Sequence, residues 1–374
     1  MPSSPFHPVS AARSAVLRSG PSRRRVLGAG SLALGAALLA GCSTGPTGSG
    51  EESATGSSSA SASADAAFPR TIEHAFGTTE IPEQPERVAT VSWVNQDIAL
   101  ALGVVPVGVA ATEYGGNENQ STDWFDAALE EAGGEEPVQY SEADGIDFEA
   151  IAATEPDVIL ATYSGITQED YDKLSQIAPV VAYPEGTAPF GTPWQDSTRI
   201  IGEALGKEQE AEQVVSDVEA QVAEAAEAHP ELDGKTFLYG TVDPAAADQV
   251  YLFTATDNRP KFLSALGMEL APVVAENEDA KDAFYITWSP ERADELESDI
   301  LVSSAADASV GEAIKKDPLL GSIPAVQDDT LVLQTDEQEV LSISATSPLS
   351  IPWALENALP KISEAAEKAG GSAE

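Results

Sequence analysis

One interval recurs in the two halves of this chain. Glu149 precedes Asp157 by eight residues, and Glu291 precedes Asp299 by eight. In both places a helical turn or two separates the acids, and a short apolar run follows the Asp: Val158–Leu160 in one, Ile300–Val302 in the other. Runs of this kind suit strands buried on both faces of a parallel sheet. A helix-then-strand unit that returns with the same spacing predicts two lobes of similar construction.

The rest of the pattern agrees. Arg87–Val91 reads as a strand, Asp97–Gly103 as a helix closed by a glycine, and Val104–Ala110 as the next strand. Pro156–Ala161, the helix Gln168–Ile177 and the strand Pro179–Tyr183 continue the alternation. In the second half Lys235–Gly240, Gln249–Thr254, Ser298–Val302 and Thr330–Gln334 are strand-like, and Phe262–Gly267 echoes Ile98–Gly103. Strands alternating with helices predict an α/β class with mainly parallel sheets in two Rossmann-like lobes. Between the halves, Trp194–Leu205 and Glu208–Ala228 are helical, the second with apolar residues at i, i+3, i+4 spacing until Pro230 stops it. Its 21 residues make about 31 Å of helix, enough to bridge two lobes.

The amino-terminal end reads as an address. Residues 1–41 hold five arginines and no acid, then the apolar run Val26–Gly41, which is too short, at about 24 Å, to cross a bilayer core of about 30 Å. This is the make-up of a secretory signal peptide, and Ser22–Leu27 around the arginine triplet is twin-arginine-like. The chain's single cysteine, Cys42, follows Leu39-Ala40-Gly41 in the manner of a bacterial lipobox. Acyl chains on that cysteine would hold the protein at a membrane surface. Residues 42–67 then form a Ser/Thr/Gly/Ala-rich flexible tether. The folded body is expected to divide into a first lobe over 68–192, the helical segment 193–230, a second lobe over 231–364 and a frayed tail over 365–374.

Composition removes several classes. With 62 acids against 19 Lys and Arg, the net charge of −43 argues against nucleic acid, whose phosphates demand clustered cations. One cysteine excludes an internal disulfide, and three histidines make a protein-held metal centre unexpected. No Gly-x-Ser-x-Gly elbow occurs in the body, and no His-Glu-x-x-His occurs. Gly202–Glu208 mimics a phosphate loop but is one residue short and lacks the magnesium-binding hydroxyl. An exported enzyme is therefore the remote alternative.

The order of segments resembles the iron-siderophore type of ABC-transporter substrate-binding lipoproteins, which have the class III periplasmic-binding-protein fold. The resemblance covers roughly residues 70–363. It is carried by Pro85–Val88 with Ala101–Gly108, Phe148–Ile151 with Glu155–Ile159, Ser164–Thr167 with Ile177–Pro179, and Asp317–Leu319 with Ile323–Val326. It implies two α/β lobes joined by one long helix, with a ligand cleft between them. It also implies a ferric siderophore as ligand, an ABC permease dimer as partner, a single copy of this chain, and no cofactor beyond iron carried inside the ligand. Glu149 and Glu291 stand where the family docks a Glu from each lobe onto permease arginines. Each is also what a helix dipole favours in a first turn. The family's first-lobe helix often carries Glu where this chain has Asp97.

A ferric chelate needs flat aromatic walls and a cation. Arg259, in Thr256–Pro260 between a strand and a helix, is the candidate cation, the bland alternative being a solvated turn residue. Trp93, Tyr114 and Tyr163 follow first-lobe strands, where crevices form in open α/β sheets. Tyr285 and Trp288 precede Glu291 in the second lobe. Core packing is the alternative reading for each aromatic. The strong overall acidity points to neutral or weakly charged hydroxamate or mixed-type chelates over tris-catecholates. Heme or a cobalamin remains open as the ligand, with Tyr114 or Tyr163 as a possible axial group for heme.

Overall fold

The computed structural model describes residues 68–371, apart from 247, 281 and 282. The signal peptide, Cys42 and the tether lie outside the described residues. A hairpin of β1 (Arg70–His74) and β2 (Gly77–Ile81) opens the body. Then come β3 (Val88–Thr90), β4 (Gly108–Ala110), β5 (Val138–Tyr140), β6 (Val158–Ala161) and β7 (Val180–Ala182). They form one sheet, in the order β5-β4-β3-β6-β7, with every pairing parallel. All four residues of β6 are buried, as a central strand covered by helices on both faces requires.

The second sheet contains β8 (Thr236–Thr241), β9 (Val250–Phe253), β10 (Glu269–Leu270), β11 (Tyr285–Trp288), β12 (Ile300–Ser304) and β13 (Leu331–Gln334). Its order is β11-β9-β8-β12-β13, with β10 beside β8. It departs from an all-parallel sheet at β9, which runs antiparallel to both β8 and β11.

The recurring acids occupy matched places. Asp157 accepts hydrogen bonds from the backbone N–H of Glu86 (2.8 Å) and Arg87 (3.0 Å), just ahead of β3. Asp299 accepts from the backbone and hydroxyl of Thr236, both at 2.7 Å, at the start of β8. Each Asp therefore pins the entry of the strand beside its own. The Glu eight residues earlier begins the returning turn at the opposite end of the sheet. Glu149 is in the first turn of the helix Phe148–Ala153, and Glu291 in the 3-10 turn Pro290–Glu295.

The helix Glu208–Ala228 runs from one lobe to the other. Ala211 is buried in the first lobe's core, Val218 in the second's. A further stretch also touches both. Within the helices Glu337–Ser344 and Ser350–Asn357, Leu341 packs into the first core, while Ile343, Ile351 and Ala354 pack into the second. The expectation that 231–364 belongs wholly to the second lobe is thus corrected. Apolar side chains on two faces of these helices allow burial against both lobes. The frayed tail is corrected as well. The helix Leu359–Gly371 covers 365–371, and Ile362, Ala365 and Ala366 are buried because their spacing places them on one face.

Between the two helices of that stretch, Ser347 joins the lobes directly. Its hydroxyl donates to Asp97 Oδ2 at 2.6 Å, and the Trp124 indole N–H donates to the same oxygen at 2.8 Å. Asp97, 3% exposed, is an internal latch and is not free to dock a partner. Burial pushes its carboxyl up to about 6 despite those two bonds. Ser347→Ala leaves a buried carboxylate oxygen short of a donor. It is expected to cost about 1–3 kcal/mol in denaturant unfolding; an unchanged midpoint would show that the latch carries no load.

Candidate functional site

In the first sheet the chain leaves the central strand β3 in one direction and β6 in the other. The crevice at such a switch point opens at the strands' carboxyl ends. The loop after β3 presents Trp93, which is 42% exposed, and the loop after β6 presents Tyr163. Asn95 fastens the two loops together. Its fully buried amide nitrogen donates to the carbonyls of Val91 (2.9 Å), Trp93 (3.0 Å) and Tyr163 (3.0 Å). Its oxygen accepts from the Thr162 hydroxyl (2.9 Å) and the Tyr163 N–H (3.2 Å).

The Trp93 loop is held in a costly shape. Ser92 has φ 64° and Val94 φ 74°, a region that a β-branched side chain rarely enters. The Ser92 N–H is satisfied by the Glu142 carboxylate, at 3.0 and 3.2 Å. Desolvation pushes Glu142 up to about 7, the bond from Ser92 opposing it.

Phe190, after β7, completes the wall. Its ring lies 6.0 Å from Trp93 and 5.9 Å, edge to face, from Tyr163. Gly165 makes room for it, since a Cβ there would stand 2.4 Å from the Phe190 ring. Sequence reasoning missed Phe190, although the rule that selected Trp93, a loop following a parallel strand, also applies to it.

Arg259 faces these aromatics from the second lobe. It lies in the first turn of the helix Asn258–Ala265 and not in a free turn, because Asp257 caps that helix, accepting from the Arg259 N–H at 2.9 Å. The guanidinium sits 3.6 Å over the Phe253 ring, with Nε 3.5 Å from Asp257 Oδ1. That Nε is buried and has no hydrogen-bond partner. Tyr114, 39% exposed, shares this electrostatic neighbourhood. Its phenol is raised by burial and by Glu337, and lowered by Arg259. Asn258 donates to the Tyr163 hydroxyl at 3.1 Å and to the Ser344 carbonyl at 3.0 Å, which joins the two sides of the cleft.

The aromatic candidates thus divide. Trp93 and Tyr114 are exposed around the cleft. Tyr163 is 6% exposed and its hydroxyl, pushed up to about 12 chiefly by burial, is taken by Asn258; it supports the wall from behind. Tyr285 is exposed, opposite Phe253 in register and 5.6 Å from Tyr251. Trp288 is corrected as a ligand contact. It is buried, its N–H donates to the Arg292 carbonyl at 2.8 Å, and the Arg292 guanidinium covers its face. Glu149 and Glu291 are both exposed. His74 bonds Thr79 and His229 bonds Glu231, so neither histidine is offered to the cleft. Among the described residues no group of three or more His, Cys, Asp or Glu is placed to hold a metal ion.

Because Glu142 holds its proton more tightly folded than unfolded, its contribution to stability falls as pH rises from about 4.5 through about 7. Glu142→Gln keeps an acceptor for Ser92. It should flatten the thermal-unfolding profile across that window and stabilise the protein at pH 8 by roughly 1–3 kcal/mol, allowing for partial exposure. An unaltered pH profile would contradict the assignment.

Comparison with known proteins agrees with this geometry. The chain matches the family described as Periplasmic binding protein over residues 88–337. It is 31% identical to the probable siderophore-binding lipoprotein YfiY of Bacillus subtilis, over 41% of this chain and 44% of that protein. It is 27% identical to the ferric enterobactin-binding periplasmic protein FepB of Escherichia coli, over 70% of this chain and 82% of that one. The crystal structure of Streptococcus pneumoniae PiaA in complex with ferrichrome superposes with a TM-score of 0.73 and 36% identity, covering 80% of this chain and 99% of PiaA. With two α/β lobes, a bridging helix and a match across most of the folded body, the chain belongs to the periplasmic binding protein family.

Proposed function

We propose that this protein captures a ferric siderophore outside the cell membrane and delivers it to the permease of an ABC importer. The observation that carries the reading is the pairing of exposed Trp93, Phe190 and Tyr114 with Arg259, whose guanidinium is ion-paired to Asp257 but whose Nε has no hydrogen-bond partner among the described residues. Flat apolar surfaces take the organic envelope of a chelate, and the guanidinium takes an oxygen near the metal. Iron enters inside its chelator, which supplies the ligands. The names of YfiY and FepB and the ferrichrome bound to PiaA support the same class of cargo.

The cleft's charge narrows that class. Arg259 is countered by Asp257 beside it, and Glu337 adds a negative charge near Tyr114. A neutral or weakly charged ferric hydroxamate suits this balance, whereas a tris-catecholate would bring several negative charges to one offset cation. The protein acts as a binding protein, as the names of YfiY and FepB describe those relatives. It works as a single copy, held at the membrane by lipid on Cys42, with Glu149 and Glu291 meeting the two permease subunits.

Intrinsic tryptophan quenching with ferrichrome, ferric enterobactin, heme and cobalamin tests the cargo. Ferrichrome should bind best, and Arg259→Ala should weaken it by at least about tenfold, or ~1.4 kcal/mol. A preference for enterobactin would refute the charge argument, and failure of every iron chelate would refute the function. In cells, replacing Glu149 and Glu291 together by Ala should abolish uptake while sparing binding, and Cys42→Ser should move the protein from the membrane to the soluble fraction. Lost binding in the double variant would overturn the docking role, and unchanged fractionation the lipid anchor.

A further inference from the structure

Behind the cleft, on the far side of Asn258, lies a cavity of about 440 Å³, within the range of small-molecule sites. Its walls come from the start of the helix Trp194–Leu205, the bridging helix, the helix that carries Arg259, and the linker near Thr346. Trp194, Val222, Phe262 and Ile351 make those walls largely apolar, and Lys261 adds an ammonium. We propose that this cavity is a second ligand site, for a small amphipathic monocarboxylate.

The ammonium of exposed Lys261, which has no carboxylate bonded to it among the described residues, is what selects an anion. Partial burial lowers the Lys261 ammonium and Asp257 raises it. Asp257 is already committed, both to the Arg259 N–H and to its guanidinium. The acid on the wall, Glu219, is exposed and accepts a hydrogen bond from Gln195 at 3.2 Å. A ligand carboxylate would give Lys261 a charge-assisted partner that the protein does not supply. An aliphatic or aromatic body would cover the apolar surfaces of Trp194 and Val222.

The position gives such a ligand leverage. Asn258 lines this cavity and also donates to the Tyr163 hydroxyl that backs the aromatic wall. An occupant therefore touches the residue that joins the two sides of the cleft.

The probe is decanoate, titrated calorimetrically into the full chain without siderophore, so the outcome is independent of the cargo assigned above. Decanoate should bind at one site, at least about tenfold more tightly than decyltrimethylammonium. Lys261→Gln should abolish that preference. Ala223→Phe, which fills the cavity from the bridging helix, should abolish binding with circular dichroism and melting temperature unchanged; if that variant unfolds, Lys261→Gln alone decides. No decanoate binding, equal binding of the cationic probe, or an anion preference that survives Lys261→Gln would overturn the proposal.

Discussion

The proposed recognition surface depends on one buried amide. Asn95 spends both its donors and its acceptor on the backbone and on Thr162, and in doing so ties the loop after β3 to the loop after β6. An unpaired amide at that depth would lose about 1–3 kcal/mol, so the two loops are set together or not at all. The strained backbone at Ser92 and Val94 persists because this bonding and the Glu142 carboxylate over-determine it. The result is a tryptophan that stands in solvent without being loose. A rigid aromatic loses little conformational entropy when a ligand covers it.

The two lobes solve the same problem with the same pair of acids. Asp157 and Asp299 each seal the entry of a neighbouring central strand, and Glu149 and Glu291 lie at the other end of the returning segment. One acid serves the fold, and the other is left exposed on the side where the strands finish. This division explains why a fixed interval recurs where the surrounding sequence does not.

The architecture was legible because it rests on periodicity. Buried parallel strands and a 21-residue amphipathic helix show themselves in local composition. The site was legible only as far as the rule about loops at strand ends reached. It put forward Trp93, Tyr114 and Arg259 but could not tell exposed Trp93, in a loop, from buried Trp288, the last residue of β11. Their difference lies in a long-range partner: Phe190 beside one, the Arg292 carbonyl and guanidinium against the other. Asn258 was hidden for the same reason, since its two partners are 95 and 86 residues away. The carboxyl-terminal helix was misread because Ala365 and Ala366 look like a small-residue tail until Ile362 is seen on the same face.

Two separate stretches, Glu208–Ala228 and the pair of helices around Ser347, are shared by both cores. Opening the molecule like a book would tear apolar side chains from two places at once. Vacant and laden molecules must then present nearly the same silhouette to whatever receives them. A receiver meeting such a carrier would be jammed by empties as readily as it is supplied by full ones, so throughput would follow the fraction of carriers that are loaded more than their number.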